Sequence, residues 1–191
     1  MIVFRNTGIF LIRLIFDFYL ISLMIRLLMH QTAANYDNPI LQLVIRRTNI
    51  FVRHLQTILP TLKELDFTLV LLLIVFEIIQ TFLIFELRFQ VMPHWRGLFL
   101  IAIGSLGNKF INLYFYAIII RVIMSWLPSL QRSSVAEIIF LITKPLMRAE
   151  RILLPIGVGF DFLYLFLLVL FQLISIIVFN PIIAVGTRWA L

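Results

Sequence analysis

Two arginine–aspartate pairs share one spacing in this chain: Arg26 and Asp66 stand 40 residues apart, and so do Arg121 and Asp161. A guanidinium offers a planar fork of donors that suits either a carboxylate or a phosphate. Each arginine falls about one turn inside the end of an apolar stretch, and each aspartate opens the next such stretch. A charge in hydrocarbon costs about 2.5–3.5 kcal/mol on insertion scales unless it is paired or snorkels outward. Arginine near a helix C-terminus and aspartate at an N-terminus also complement the helix dipoles. The spacing therefore predicts an Arg–Asp clip closing each of two hairpins, with Pro60 and Pro155 fixing the turn into the second helix. The alternative reading is an anion or lipid-phosphate site at the guanidinium.

A second set of polar residues lies deeper. Asp17 is 9 residues from Arg26, and Glu77 is 11 from Asp66. At about 1.5 Å per residue both carboxylates lie roughly 13–17 Å from one face, near the middle of a hydrocarbon core about 30 Å thick. Asn112 and Gln172 occupy the matching positions in the second half of the chain. These four predict a midplane polar layer facing the interior of a helix bundle, with Arg13 four residues before Asp17 as a pairing partner. Polar groups of this kind hold helices together in lipid. The alternative reading takes an intramembrane acid such as Glu77 as a proton- or cation-handling group.

The elements that must position these residues are helices in a bilayer. Of 191 residues, 62% are hydrophobic and 13% charged, and the mean hydropathy is +1.08. A soluble domain carries roughly 45–50% apolar and about 25% charged residues, so the excess apolar surface requires lipid. Four stretches meet the length of about 20 apolar residues that a crossing requires: 8–29, 66–87, 106–127 and 161–178. The third begins either there or near Gly97. Residues 38–59 differ, with Ile40, Leu41, Val44, Thr48, Phe51, Val52, Leu55 and Ile58 on one helical face and Gln42, Arg46, Asn49, Arg53 and Gln56 on the other. That pattern predicts an amphipathic helix in the membrane interface, started by Asn38 and Pro39. A second interfacial segment, 134–154, carries Lys144, Arg148 and Arg151 and is expected to be interrupted at Pro145.

The chain also matches itself at a shift of 95 residues, which superimposes Tyr19 on Tyr114, Arg26 on Arg121, Thr48 on Thr143, Arg53 on Arg148, Pro60 on Pro155 and Asp66 on Asp161. A fixed period means a duplicated structural unit, here span, interfacial segment, span. The expected fold is an all-α membrane protein of about four transmembrane helices in two tandem units, 1–95 and 96–191. An even number of spans per unit makes the copies parallel, related by an axis along the membrane normal.

The second copy reads Arg121-Val-Ile-Met-Ser-Trp-Leu-Pro128, Ile142-Thr-Lys-Pro145-Leu-Met-Arg148 and Arg151-Ile-Leu-Leu-Pro155-Ile-Gly-Val-Gly-Phe-Asp161. This resembles the YggT (YlmG) family. The first copy keeps Asn38-Pro39-Ile40, Thr48, Arg53, Pro60 and Asp66, but has His30-Gln31 in place of the family's Ser-Trp, Ile50 in place of Pro, and Leu62 and Glu64 in place of the Gly pair. The resemblance implies a small protein of the bacterial inner membrane or thylakoid, linked to cell division, osmotic tolerance or assembly of membrane complexes, with no catalytic activity attached.

The function expected is a non-enzymatic inner-membrane scaffold or assembly factor, and the alternative is a small transporter or channel component using Glu77 and Asp17. The absence of cysteine from the sequence excludes disulfides and thiolate chemistry. His30, His54 and His94 have no mutual ligand spacing, and Gly157 and Gly159 follow no strand as a phosphate loop would. No cofactor or metal is expected. The net charge of +7 suits anionic lipid headgroups rather than nucleic acid, and membrane-protein partners or self-association are the other expected contacts. Arg13, Asp17 and Arg26 within the first apolar run argue against a cleaved signal peptide. Eight basic residues flank the spans on the face of the long segments, against five (Arg5, Arg88, Arg96, Lys109, Arg188) on the other, which orients the long segments toward the cytoplasm.

Overall fold

The computed structural model describes residues 2–31, 38–56, 67–127, 129–153 and 160–191, with side chains described except at 2, 31, 54–56, 147–153 and 160–163. All regular elements among them are helical: α1 (Ile2–Gln31), α2 (Pro39–Gln56), α3 (Phe67–Phe89), α4 (Trp95–Trp126), a 3₁₀ turn (Leu130–Arg132), α5 (Ser134–Leu153), α6 (Phe160–Ile174), a π segment (Ser175–Phe179) and α7 (Asn180–Ala190). Four helical stretches, 3–30, 67–89, 95–126 and 164–190, are long and apolar enough to cross a bilayer. Their alternation leaves the 90–94 link and both chain ends on one face, called here the terminal face. The amphipathic helices α2 and α5 lie at the other.

Burial follows the expected periodicities. On α2, Leu41, Val44, Thr48 and Val52 are buried, while Gln42, Arg46, Asn49 and Arg53 are exposed. Val52 joins Leu20, Leu23, Met24 and Leu27 of α1 and Leu69, Leu72 and Leu73 of α3 in one core. A second core, of Met29, Leu41, Ala117, Ile138, Ile139 and Ile142, ties α1, α2, α4 and α5 together. Phe10, Leu14, Phe18 and Ile21 form an exposed apolar face on α1, which faces lipid in a spanning helix. The 95-residue shift is repeated in the helix starts. Asn38 Oδ1 accepts from the backbone N–H groups of Ile40 and Leu41 at 3.0 and 3.3 Å, and Ser133 Oγ accepts from Ala136 N–H at 3.2 Å. Each caps an amphipathic helix, as short polar side chains do.

Of the two starts expected for the third span the earlier is the one found, and two further expectations are revised. The third span is one continuous helix of 32 residues from Trp95, about 48 Å long and so longer than a core of about 30 Å, which tilt or projection accommodates. The fourth does not stop at Val178 but continues to Ala190. Pro181 has no N–H to offer the helix, and the turn before it widens so that Asn180 N–H reaches Ser175 C=O. Such π turns absorb a proline within a continuing helix. Pro145, expected to interrupt the second amphipathic segment, lies inside α5. The lost hydrogen bond is a single one, and the exposed ring lies away from the packed face.

Helices α4 and α7 meet along a seam of small residues. Gly97 and Gly186 are both buried, and a β-carbon at Gly97 would run into the backbone of Ala190 and Gly186. At Gly104 the nearest atoms belong instead to the side chains of Ile182 and Ile183. The seam is closed at the terminal face by a hydrogen bond from His94 N–H to Ala190 C=O, 3.0 Å.

Candidate functional site

The midplane layer is organised by a residue the sequence reading placed elsewhere. Lys109, counted above among the charges flanking the terminal face, stands fourteen residues into α4, about 21 Å along the helix. Its Nζ lies 2.6 Å from Glu77 Oε2 and 2.9 Å from Asp17 Oδ1, and donates to Gln80 Oε1 at 2.5 Å. Gln80 Nε2 in turn donates to Asp17 Oδ1 at 2.8 Å. One ammonium thus joins two carboxylates and an amide from α1 and α3. Glu77 is almost wholly buried, its side chain 2% exposed, against 39% for Asp17, so the cluster is closed on α3 and open on α1. With Lys109 inside a span, four flanking charges remain on the terminal face, and the charge bias becomes eight to four.

The layer does not contain all four expected residues. Asp17 and Glu77 meet at Lys109, and Asn112 lines the cavity beside them. Gln172, expected to face the interior, is exposed on α6. Its place is taken one turn later by buried Ser175, whose Oγ donates to Asn108 Oδ1 at 2.7 Å. At the 95-residue shift Ser175 corresponds to Gln80, so the duplicated inward position is Gln80/Ser175. Arg13, the expected partner of Asp17, instead lines the same cavity together with Arg88. That cavity, about 370 Å³ between α1, α3, α4 and α7, runs from the Lys109 cluster past Arg88 and Thr187 toward the terminal face.

Asp66 and the side chain of Asp161 lie outside the described residues, as do those of Arg148 and Arg151, so the two clips are not described here. Among the described residues the arginines share a duplicated partner. Arg26 Nη1 donates to Thr48 Oγ1 at 2.7 Å, and Arg121 Nη1 to Thr143 Oγ1 at 2.5 Å. Both threonines are fully buried and return their hydroxyl proton to a carbonyl one turn back, Val44 and Ile139. Each arginine therefore latches a span to its amphipathic helix. Arg121 also donates through Nε to Tyr164 Oη at 3.2 Å and lies over the Phe140 ring. The constant 22-residue Arg–Thr spacing was the available signal. Replacing Thr143 by valine should leave the Arg121 donor without its partner and cost about 1–3 kcal/mol, read as a lower unfolding temperature in detergent, whereas Thr143→Ser should recover most of the loss.

Of the other basic residues singled out, Arg46 and Arg53 are exposed along α2, and Lys144 along α5. Lys144 borders a cavity of about 620 Å³ with Arg121, Arg132, Ser133, Glu137 and Phe140. The two amphipathic helices are joined across the duplication, since Asn38 Nδ2 donates to Glu137 Oε2 at 2.7 Å and to Ser134 C=O at 2.9 Å.

Four apolar spans, two amphipathic helices on one face and latches repeated at a 95-residue shift define an α-helical integral membrane protein with internal duplication. The chain belongs to the CCB3/YggT family, which matches it in two segments, residues 6–87 and 100–182. It is similar to the uncharacterized protein YggT of Escherichia coli strain K12, at 26% identity over 95% of this chain and 94% of the relative. It is also similar to the uncharacterized protein PA0392 of Pseudomonas aeruginosa, at 26% over 96% and 94%. An uncharacterized protein of the proC 3' region of Vibrio alginolyticus matches at 26% over 82% and 84%. No solved structure matches the chain.

Proposed function

We propose that the chain is a non-enzymatic scaffold or assembly factor of the bacterial cytoplasmic (inner) membrane. The observation that carries this reading is that the charges of the midplane cluster are spent on each other: Lys109 is held by Glu77, Asp17 and Gln80, which fastens α1, α3 and α4 together. What the fold offers outward is a pair of joined amphipathic helices with exposed basic residues, Arg46, Arg47 and Lys144, and exposed apolar ones, Leu43 and Val135. Such a surface suits anionic headgroups together with membrane-protein partners or a second copy of the chain. The eight-to-four basic bias supports a cytoplasmic location for that surface. A photo-crosslinking residue at Leu43 should yield discrete adducts in living cells that disappear when Arg46 and Arg47 are replaced by glutamate. A ladder of unspecific adducts unaffected by those charges would refute the scaffold.

A second reading, a small transporter or channel component, is favoured by the cavity that leads from the terminal face to Lys109 and Glu77. The two readings part at Glu77→Gln, which keeps a hydrogen-bonding side chain and removes the charge. For the scaffold, the variant folds, complements osmotic growth fully, and shows the same absence of ion flux in proteoliposomes as the parent. Flux in the parent that vanishes in the folded variant would establish transport instead.

A further inference from the structure

We propose that the open cavity bordered by α4, the 3₁₀ turn and α5 is a binding site for a phosphate group, supplied by the headgroup of an anionic phospholipid. It measures about 620 Å³, and three of its lining residues, Arg121, Arg132 and Lys144, are cationic. Glu137, the acid among the lining residues, has its carboxylate engaged by Asn38 Nδ2 at 2.7 Å. Arg121 is fixed by Thr143, Tyr164 and the Phe140 ring, so its guanidinium is already oriented. Arg132 and Lys144 are exposed at the rim. Preorganised guanidinium with a second and third cation is the chemistry that takes a phosphate oxygen set.

Position favours a lipid as the source. Arg121 lies five residues before the end of α4, about 7–8 Å below the helix terminus, and Phe140 and Leu141 continue the lining as apolar surface. A headgroup at the level of Arg132 and Lys144 would leave its acyl chains along that surface.

The duplication supplies an internal control. Copy one repeats the arginine and the threonine as Arg26 and Thr48, but has Asp37 and Asn49 where copy two has Arg132 and Lys144. The Asn38 side chain is spent on α5. The latch is common to both copies, whereas the triple cation belongs to copy two alone.

Trp126 ends α4 beside this face, while Trp95 and Trp189 lie at the terminal face. The full chain carrying Trp95→Phe and Trp189→Phe therefore reports lipid contacts locally when reconstituted in phosphatidylcholine bilayers containing brominated phosphatidylglycerol. Trp126 should be quenched well beyond the bulk fraction of the brominated lipid. Arg132→Gln with Lys144→Gln, both exposed and so compatible with folding, should lower that preference on the order of ten-fold. Arg46→Gln with Arg47→Gln, which removes the same charge from the α2 surface, should lower it far less, because those side chains attract headgroups without lining a cavity that holds one. Equal loss in the α2 variant would mean diffuse attraction and would overturn the site, as would quenching no greater than with brominated phosphatidylcholine. Displacement of the brominated lipid by millimolar inorganic phosphate would keep the phosphate site but overturn the lipid as its source.

Discussion

Replacing Lys109 by methionine is expected to destabilise the protein more than any other single substitution in the polar layer, by about 3–5 kcal/mol. The cost arises because the variant removes one cation from two carboxylates and leaves Glu77 buried without its charge partner. Water compensates little, since Glu77 is 2% exposed, and an unpaired buried carboxylate must either carry its desolvation penalty or take up a proton. Asp17 contributes the smaller share, because its side chain is partly open to the cavity. The triple variant Asp17→Asn, Glu77→Gln, Lys109→Met removes all three charges and should recover most of the loss, as replacement of a whole buried ion cluster by neutral groups is often close to neutral. Unfolding temperatures in mild detergent for the single, paired and triple variants form the cycle that isolates the coupling. A Lys109→Met protein as stable as the parent would mean that the cluster fastens nothing.

Helix type and the faces of α2 were legible in the sequence because both depend on local periodicity. The period-3.6 alternation of Leu41, Val44, Thr48 and Val52 with Gln42, Arg46 and Asn49 needs no tertiary information. Lys109 was misplaced for a reason of length. Starting the third span at residue 106 puts Lys109 one turn inside the membrane, where it snorkels, whereas starting it at Trp95 puts it at the midplane. The available start signal was His94, whose side chain caps the helix by accepting from Arg96 N–H.

The site residues that were missed depend on which helices face each other, and a single chain does not show that at a distance. Glu77 has no basic residue within a turn on its own helix, so local spacing leaves its partner undefined. The structure supplies one from α4, Lys109. Gln172 was placed inward by exact transfer of the 95-residue register, yet Gln80 and Ser175, equally related by that register, are the buried pair. The threonine latches show the same limit, because Thr48 and Thr143 offer a neutral acceptor that hydropathy does not single out, though the repeat preserves their spacing from Arg26 and Arg121.

The second large effect is expected at the α4–α7 seam, where Gly97→Val should release the C-terminal helix. Close approach in lipid gains its energy from packing of backbone on backbone, since there is no hydrophobic drive between helices there. A β-carbon at Gly97 meets the main chain of Ala190 and Gly186, which cannot rotate away as a side chain can. The helices must separate, and overpacking of this kind costs roughly 1–3 kcal/mol even where side chains can yield. Separation would also break the hydrogen bond from His94 N–H to Ala190 C=O and uncover Phe85 and Ile101, which pack against Ala190. Gly104→Ala should be milder, because its added carbon meets γ-carbons of Ile183 and Ile182 at 2.9 and 3.0 Å and no main chain. Gly8→Ala should be neutral or stabilising, since only Leu87 Cδ1, 3.9 Å away, approaches its added carbon, and alanine is the better helix former by about 1 kcal/mol. Limited proteolysis from the C-terminus and unfolding temperature should rank the three in that order, with Gly97→Val cut fastest. If Gly97→Val and Gly8→Ala behave alike, α7 does not pack on α4 through this seam.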